Sequence, residues 1–152
     1  MASSVEVLRA VHEAFNNRDW QAMRGLVDPE LVWVDHPRGR TVKGFDEFLG
    51  WCQEWVSGMS DARVDEPRYI GAETRAITQF QGRGVNDGEL GPAHATGKAM
   101  DLAFCTVVNV EGDRMTTGEI YYDALTMMAQ LGVIEASGAS LGETTPATRR
   151  GA

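Results

Sequence analysis

Cysteine is scarce in this chain, histidine nearly so, and basic residues fall well short of acidic ones. Cys52 and Cys105 stand far apart with no CxxC spacing. Neither a disulfide framework nor a thiolate metal site is therefore indicated, and a reducing, cytoplasmic setting is the expectation. His12, His36 and His94 share no metal-ligand spacing, and no HxxE or HxxxH pattern occurs, so no metal is expected. Nor is there a GxSxG elbow or a Cys/His signature for nucleophilic catalysis. No apolar stretch approaches the length of a membrane span, and nothing near the N-terminus resembles a signal peptide. With 14 Lys and Arg against 22 Asp and Glu, the net charge is −8. That sign argues against nucleic acid and anionic membranes, which are bound through basic patches.

What is present is an ordinary globular composition, 43% hydrophobic in 152 residues, which suits one domain. The domain is expected over residues 1–136. From Ser137 onward the chain is small, polar and rich in Gly, Thr and Pro, and residues 137–152 are expected to form a flexible tail. Ser3 with Glu6 has the form of a capping box, and Val5, Leu8, Val11 and Phe15 follow at helical spacing. Asp19 caps a second short helix. Leu31–Asp35 reads as a strand that ends at His36-Pro37 and an Arg-Gly-Arg turn. A third helix opens after Gly44 and ends at Gly58. Beyond Gly58 the period changes to two, giving strands over 62–70, 74–81, 100–110 and 114–122. Pro67 marks the first of these as an edge or a bulge. Glu111-Gly112-Asp113 makes a hairpin, and a short helix follows Asp123. Helices first and a strand meander afterwards give an α+β fold, with helices on one face of a curved antiparallel sheet. The five glycines between 82 and 97 lack the GxxxxGK[ST] spacing, so a wide hairpin loop is expected there rather than a phosphate loop.

Three motifs carry a resemblance: Phe80-x-Gly82-x-Gly84-x3-Gly88-Glu89-Leu90, Ala95-Thr96-Gly97-Lys98, and Tyr122-Asp123-x6-Gln130-Leu131-Gly132. Together they resemble the SnoaL-like polyketide cyclases of the NTF2-like superfamily, over roughly residues 5–134. The resemblance implies a cone-shaped α+β barrel and an intramolecular aldol ring closure on a polyketide ester, with no metal or organic cofactor. It also implies that Asp123 stands where such cyclases keep their acid/base carboxylate. Some of those cyclases carry a His in the middle of the third long strand; here that region reads Cys105-Thr106. A histidine partner for Asp123 must then come from His36 or His94.

The same residues allow a plain reading, because Asp is a favoured helix N-cap and Ala124 opens a helix. Alternation along the last strand is expected to put Glu119, Tyr121 and Asp123 inside the cone and Gly118, Ile120 and Tyr122 outside it. On that phase the outward Ile120 and Tyr122 call for a partner, so a homodimer or higher homo-oligomer is expected. Asp35 and His36 stand at the end of the first strand, a position that resembles that of the ketosteroid isomerase base; the Tyr and second Asp of that enzyme have no counterpart here. Asp123 and His36 are thus the expected catalytic pair, and Asp35, Trp33, Tyr121, His94, Cys105 and Phe104 the expected substrate-binding residues. The expected ligand is a flat hydrophobic molecule. The alternatives are a non-catalytic small-molecule-binding or dimerising module, and a related isomerase or epoxide hydrolase using the same pocket.

Overall fold

The computed structural model describes residues 2–135. The tail expected from Ser137 onward lies outside them. Helix α1 (Ser4–Asn16) opens on the expected capping box: the Ser3 hydroxyl accepts from the Glu6 amide, and the Glu6 carboxylate accepts from the Ser3 amide. Its buried stripe is Val7, Leu8, Val11 and Ala14, with His12 alongside. Asp19 caps α2 (Trp20–Leu26) through the Ala22 amide, and Met23 is the buried residue of that helix. Helix α3 (Phe45–Gly58) turns Phe45, Phe48, Trp51, Cys52 and Trp55 inward.

Six strands form one sheet: β1 (Val27–Asp35), β2 (Arg40–Lys43), β3 (Arg63–Ala72), β4 (Arg75–Val85), β7 (Ala99–Glu111) and β8 (Arg114–Tyr122). Between β4 and β7, β5 (Glu89–Leu90) and β6 (Ala93–His94) make a small separate hairpin, and α4 (Ala124–Gln130) follows β8. The sheet order is β2-β1-β8-β7-β4-β3. All its pairings are antiparallel except β1 with β8, which run parallel. The edge strand β3 carries Pro67, and its register with β4 shifts between Asp65 and Arg68, as a proline without an amide donor requires.

One face of the sheet makes the core. Ala76, Thr78 and Phe80 of β4, Leu102, Phe104, Thr106 and Val108 of β7, and Ile120 of β8 are buried there beneath α1 and α3. Gly118 and Gly82 let aromatic rings lie flat on that face. A Cβ at either would stand 2.4 Å from the ring of Trp33 or Phe104 respectively.

Three local expectations change. The turn at Arg38-Gly39 is present, but residues 40–43, for which no element was expected, form a strand, because pairing with β1 buries Val42 opposite Trp33. The glycine-rich segment is organised by Asn86, which is fully buried. Its amide donates to Gly58 O and Gly88 O and accepts from the Thr96 amide and hydroxyl. Finally, the phase of β8 is reversed: Ile120 is buried, Tyr122 is half-buried on the inner side, and Tyr121 is exposed. The apolar surface on which a homodimer was expected therefore packs within the monomer.

Candidate active site

The reversed phase divides the expected site residues among three places. Asp35, Trp33 and Phe104 face the interior. His36, Tyr121, Cys105 and Asp123 lie on the outer side of the sheet, where Cys105, Tyr121 and Asp123 line an open groove of about 870 Å³ together with Arg68, Gln79 and Gln81. His94 sits on the β5–β6 hairpin, exposed, 3.4 Å from Glu89, and lines neither space.

Asp123 is fully exposed and acts as the N-cap of α4. Its carboxylate accepts from the Thr126 hydroxyl at 2.7 Å and the Thr126 amide at 3.1 Å. Those two bonds, the hydroxyl's first, hold its pKa below the usual carboxylate range, where the expected desolvation would have raised it. His36 Nε2 donates to the Glu119 carboxylate at 2.8 Å, and the ring stacks on Tyr121, with centroids 4.5 Å apart. Asp123 and His36 thus do not meet inside a cone; the helix that starts at Ala124 takes the carboxylate instead.

The interior is different. A cavity of about 80 Å³ lies between α1, α3 and the sheet. Trp33, Trp51, Trp55, Phe80 and Phe104 form most of its aromatic wall, and Met23, Met59, Met100 and Met115 line it as well. Its surface is almost all carbon. The volume is roughly half the ~150 Å³ that holds a benzene ring. A larger ligand must therefore displace side chains, and methionines are the ones that repack most readily. The wall reaches partly exposed residues at Phe15, Val64 and Arg83, which mark one way in.

Beside this cavity is a buried polar cluster. Asp35 is fully buried. Its Oδ2 accepts from Arg38 Nε at 2.7 Å and Trp51 Nε1 at 3.0 Å; its Oδ1 accepts from the Tyr122 hydroxyl at 2.9 Å and the Arg38 amide at 3.3 Å. Arg38 and Arg40 also reach Glu54, at 3.4 and 2.7 Å. Burial, followed by the Asp35 charge, pushes the Tyr122 phenol well above its ordinary pKa, so the hydroxyl stays protonated. Trp51 lines the cavity, and the Tyr122 ring packs on Trp55 and Phe104, centroids 5.6 and 4.8 Å away, which line it too. Asp35 is thus one side chain behind the cavity wall.

The titratable groups on the wall itself are His12, Cys52, Arg63 and Arg83. Burial drives the Cys52 thiol up, leaving it un-ionised. Among the described residues, no three His, Cys, Asp or Glu side chains converge where a metal ion could be held.

A sequence model of the SnoaL-like polyketide cyclases matches residues 5–131. The chain belongs to this family. Solved structures agree in fold. IdmH of Streptomyces antibioticus, a proposed polyketide cyclase, is 21% identical over 86% of this chain and 99% of its own, with a TM-score of 0.77. A Catenulispora acidiphila protein with a ketosteroid isomerase-like fold is 20% identical over 84% and 92%, at 0.72. An NTF2-like protein of unknown function from Burkholderia pseudomallei is 21% identical over 86% and 98%, at 0.71. No curated protein matches the chain. At these identities the structural likeness speaks to the fold, an NTF2-like α+β cone.

Sequence reading missed Trp51, Arg38, Tyr122 and His12 as site residues. Two signals were present. Asp35 continues the buried alternation of Leu31 and Trp33, and Arg38 follows it at i+3.

Proposed function

We propose that this SnoaL-like protein is a cofactor-free acid/base enzyme that closes a ring, by intramolecular aldol-type addition, in a hydrophobic polyketide-like carbonyl substrate. The observation that carries the reading is a carbon-walled cavity with a fully buried carboxylate, Asp35, directly behind its wall. A C–H flanked by carbonyls is already acidic, so one dry carboxylate is enough to take its proton. The resulting enolate carbon attacks the facing carbonyl carbon, and the alkoxide formed takes up a proton. Nothing is oxidised and no atom is lost, so the reaction calls for no cofactor.

Asp35, rather than Asp123, is the carboxylate assigned to this role. A water-excluding site strengthens every electrostatic interaction with the reacting atoms, whereas the exposed Asp123 has bulk water around it. Trp51 both lines the cavity and bonds Asp35, so a rotamer change there opens the carboxylate to substrate. A second reading has an observation of its own. The Asp35 oxygens already receive four donors, which fills a carboxylate's usual acceptor capacity. Such a group can be purely structural, in a protein that only binds its ligand.

The deciding experiment supplies an aromatic polyketide ester whose last ring is open and follows formation of a cyclised isomer of unchanged mass. Ring closure that falls at least about a hundredfold in Asp35→Asn and persists in Asp123→Asn supports the assignment. Tight binding of the ester without any turnover selects the binding reading, and loss of turnover only in Asp123→Asn returns the role to Asp123.

A further inference from the structure

His12 is the one buried imidazole of the described residues, and neither the resemblance nor the ring-closing reading gives it a part. It lies on the apolar stripe of α1, lines the interior cavity, and packs its ring edge-on against Phe80 with centroids 5.2 Å apart. Its Nδ1 stands 3.0 Å from the hydroxyl of Tyr69, on β3. Tyr69 is half-buried, and the Arg9 guanidinium lies over its ring at 4.5 Å. Among the described residues the Tyr69 hydroxyl has no other hydrogen-bond partner.

We infer that His12 is the proton donor of the cavity: a neutral imidazole that offers its Nε2–H to the substrate's carbonyl oxygen and is held in that tautomer by Tyr69. The inference rests on the ring-closing reading for its chemistry, though not for its geometry. A phenol is a better donor than acceptor toward a neutral imidazole, so the Tyr69 O–H points at Nδ1. With Nδ1 accepting, the single ring proton sits on Nε2. Burial keeps the ring neutral, with a pKa lowered to about 4. A neutral N–H aimed at a carbonyl oxygen stabilises charge as it develops there.

The proton count closes. Asp35 takes the substrate C–H proton, the enolate carbon bonds to the carbonyl carbon, and the new alkoxide takes the Nε2 proton of His12. Nδ1 receives the Tyr69 proton as Nε2 gives up its own. On product release the proton on Asp35 returns to Nε2 through water, and Nδ1 hands its proton back to Tyr69. His12 touches the reacting oxygen, whereas Tyr69 is a positioning residue that sets the tautomer.

Two measurements test this without the natural substrate. Long-range ¹H–¹⁵N spectra of the intact protein at neutral pH should show His12 with Nε2 protonated and Nδ1 bare, and Tyr69→Phe should shift the ring toward a mixture of tautomers. A His12 that carries its proton on Nδ1 in the wild type overturns the inference. The second measurement uses cyclopentanone, labelled with ¹³C at the carbonyl, as a probe small enough for the cavity. In the bound state its carbonyl resonance should lie downfield in the wild type of where it lies in His12→Phe, while cyclopentane binds both proteins. A packed, purely structural His12 would leave the bound carbonyl resonance at the same position in both proteins. Failure of the probe to bind, or binding without that difference, overturns the inference. If instead the tautomer and the difference are found but no polyketide ester is cyclised, the ring-closing reading fails and the donor stands.

Discussion

Replacing Asp35 by Asn tests whether the cluster beside the cavity is as dry as its geometry says. The carboxylate is fully buried and bonded to Arg38, Trp51 and Tyr122. Removing one partner of a buried ion pair costs about 3–5 kcal/mol, because the other charge is left uncompensated. Two features put Asp35→Asn at the lower end. The amide still offers one acceptor oxygen, and Arg38 has 28% side-chain exposure with Glu54 as a second partner at 3.4 Å. The expected loss is about 3 kcal/mol, or roughly 6–12 °C in Tm for a chain of this size. Urea unfolding followed by tryptophan fluorescence should show a lower midpoint at unchanged slope. The double variant Asp35→Asn/Arg38→Met removes the stranded cation along with the lost anion. It should therefore be less destabilised than the sum of the two single changes, by at least about 1 kcal/mol. A loss under about 1 kcal/mol in Asp35→Asn, or strict additivity in the double variant, would refute the description of a desolvated pair. Activity assays on the single variant belong well below its Tm, so that lost chemistry is not confused with lost folded protein.

Asp123→Ala should lower Tm by removing both bonds to Thr126, whereas Asp123→Asn, an equally good cap, should leave it unchanged; equal Tm values for the two variants would contradict the capping role. Because the Asp123 pKa is depressed in the fold, its stabilising contribution is full above the ordinary carboxylate range and is lost as pH falls through the folded value. His12 has the same sign of linkage. Its pKa is about 4 folded against 6.5 ordinarily, so the unfolded chain alone holds the proton between those values. Stability is therefore full above pH 6.5 and declines toward pH 4, by about 3 kcal/mol from this group, and His12→Phe should flatten that part of the profile. Gly118→Ala sets a methyl 2.4 Å from the Trp33 ring and should cost about 1–3 kcal/mol. Gly25→Ala in α2 meets nothing within 4 Å and should instead stabilise by up to about 1 kcal/mol; chemical denaturation of both variants checks the pair.

Local chemistry made most of the elements legible. The Ser3–Glu6 capping box, the Asp19 cap, the Glu111–Asp113 hairpin and the Pro67 bulge each depend on neighbours in sequence, and each stands where the residues imply. Pairings between distant segments were not legible in the same way. Strand β2 exists because β1 offers it a ladder, and the parallel pairing of β1 with β8 joins residues more than eighty positions apart. Asn86 organises the glycine-rich segment by bonding to Gly58, Gly88 and Thr96, and no local pattern announces that role.

The facing of β8 differs from the expected one for a narrower reason, and it bears on how a last strand is to be phased. A shift of one residue turns every side chain to the opposite face. The expected phase of β8 was anchored on Asp123, a polar residue just past the strand end, whose backbone is still extended and whose side chain caps α4 from the outer side. Ile120 is the better anchor, since an aliphatic side chain in the middle of a strand has the most to gain from burial. Counting outward from Ile120 puts Gly118 and Tyr122 inside, and the structure has them there: Gly118 under the Trp33 ring and Tyr122 against Phe104. The same count brings Tyr122 to Asp35, which the alternation of Leu31 and Trp33 had already turned inward. Two apolar anchors, one on each of two strands, are thus enough to move the carboxylate of interest from Asp123 to Asp35. Arg38 reaches Asp35 locally, from three residues on in the turn after β1; what no local count reaches is Trp51, whose bond to Asp35 depends on how α3 packs over the sheet.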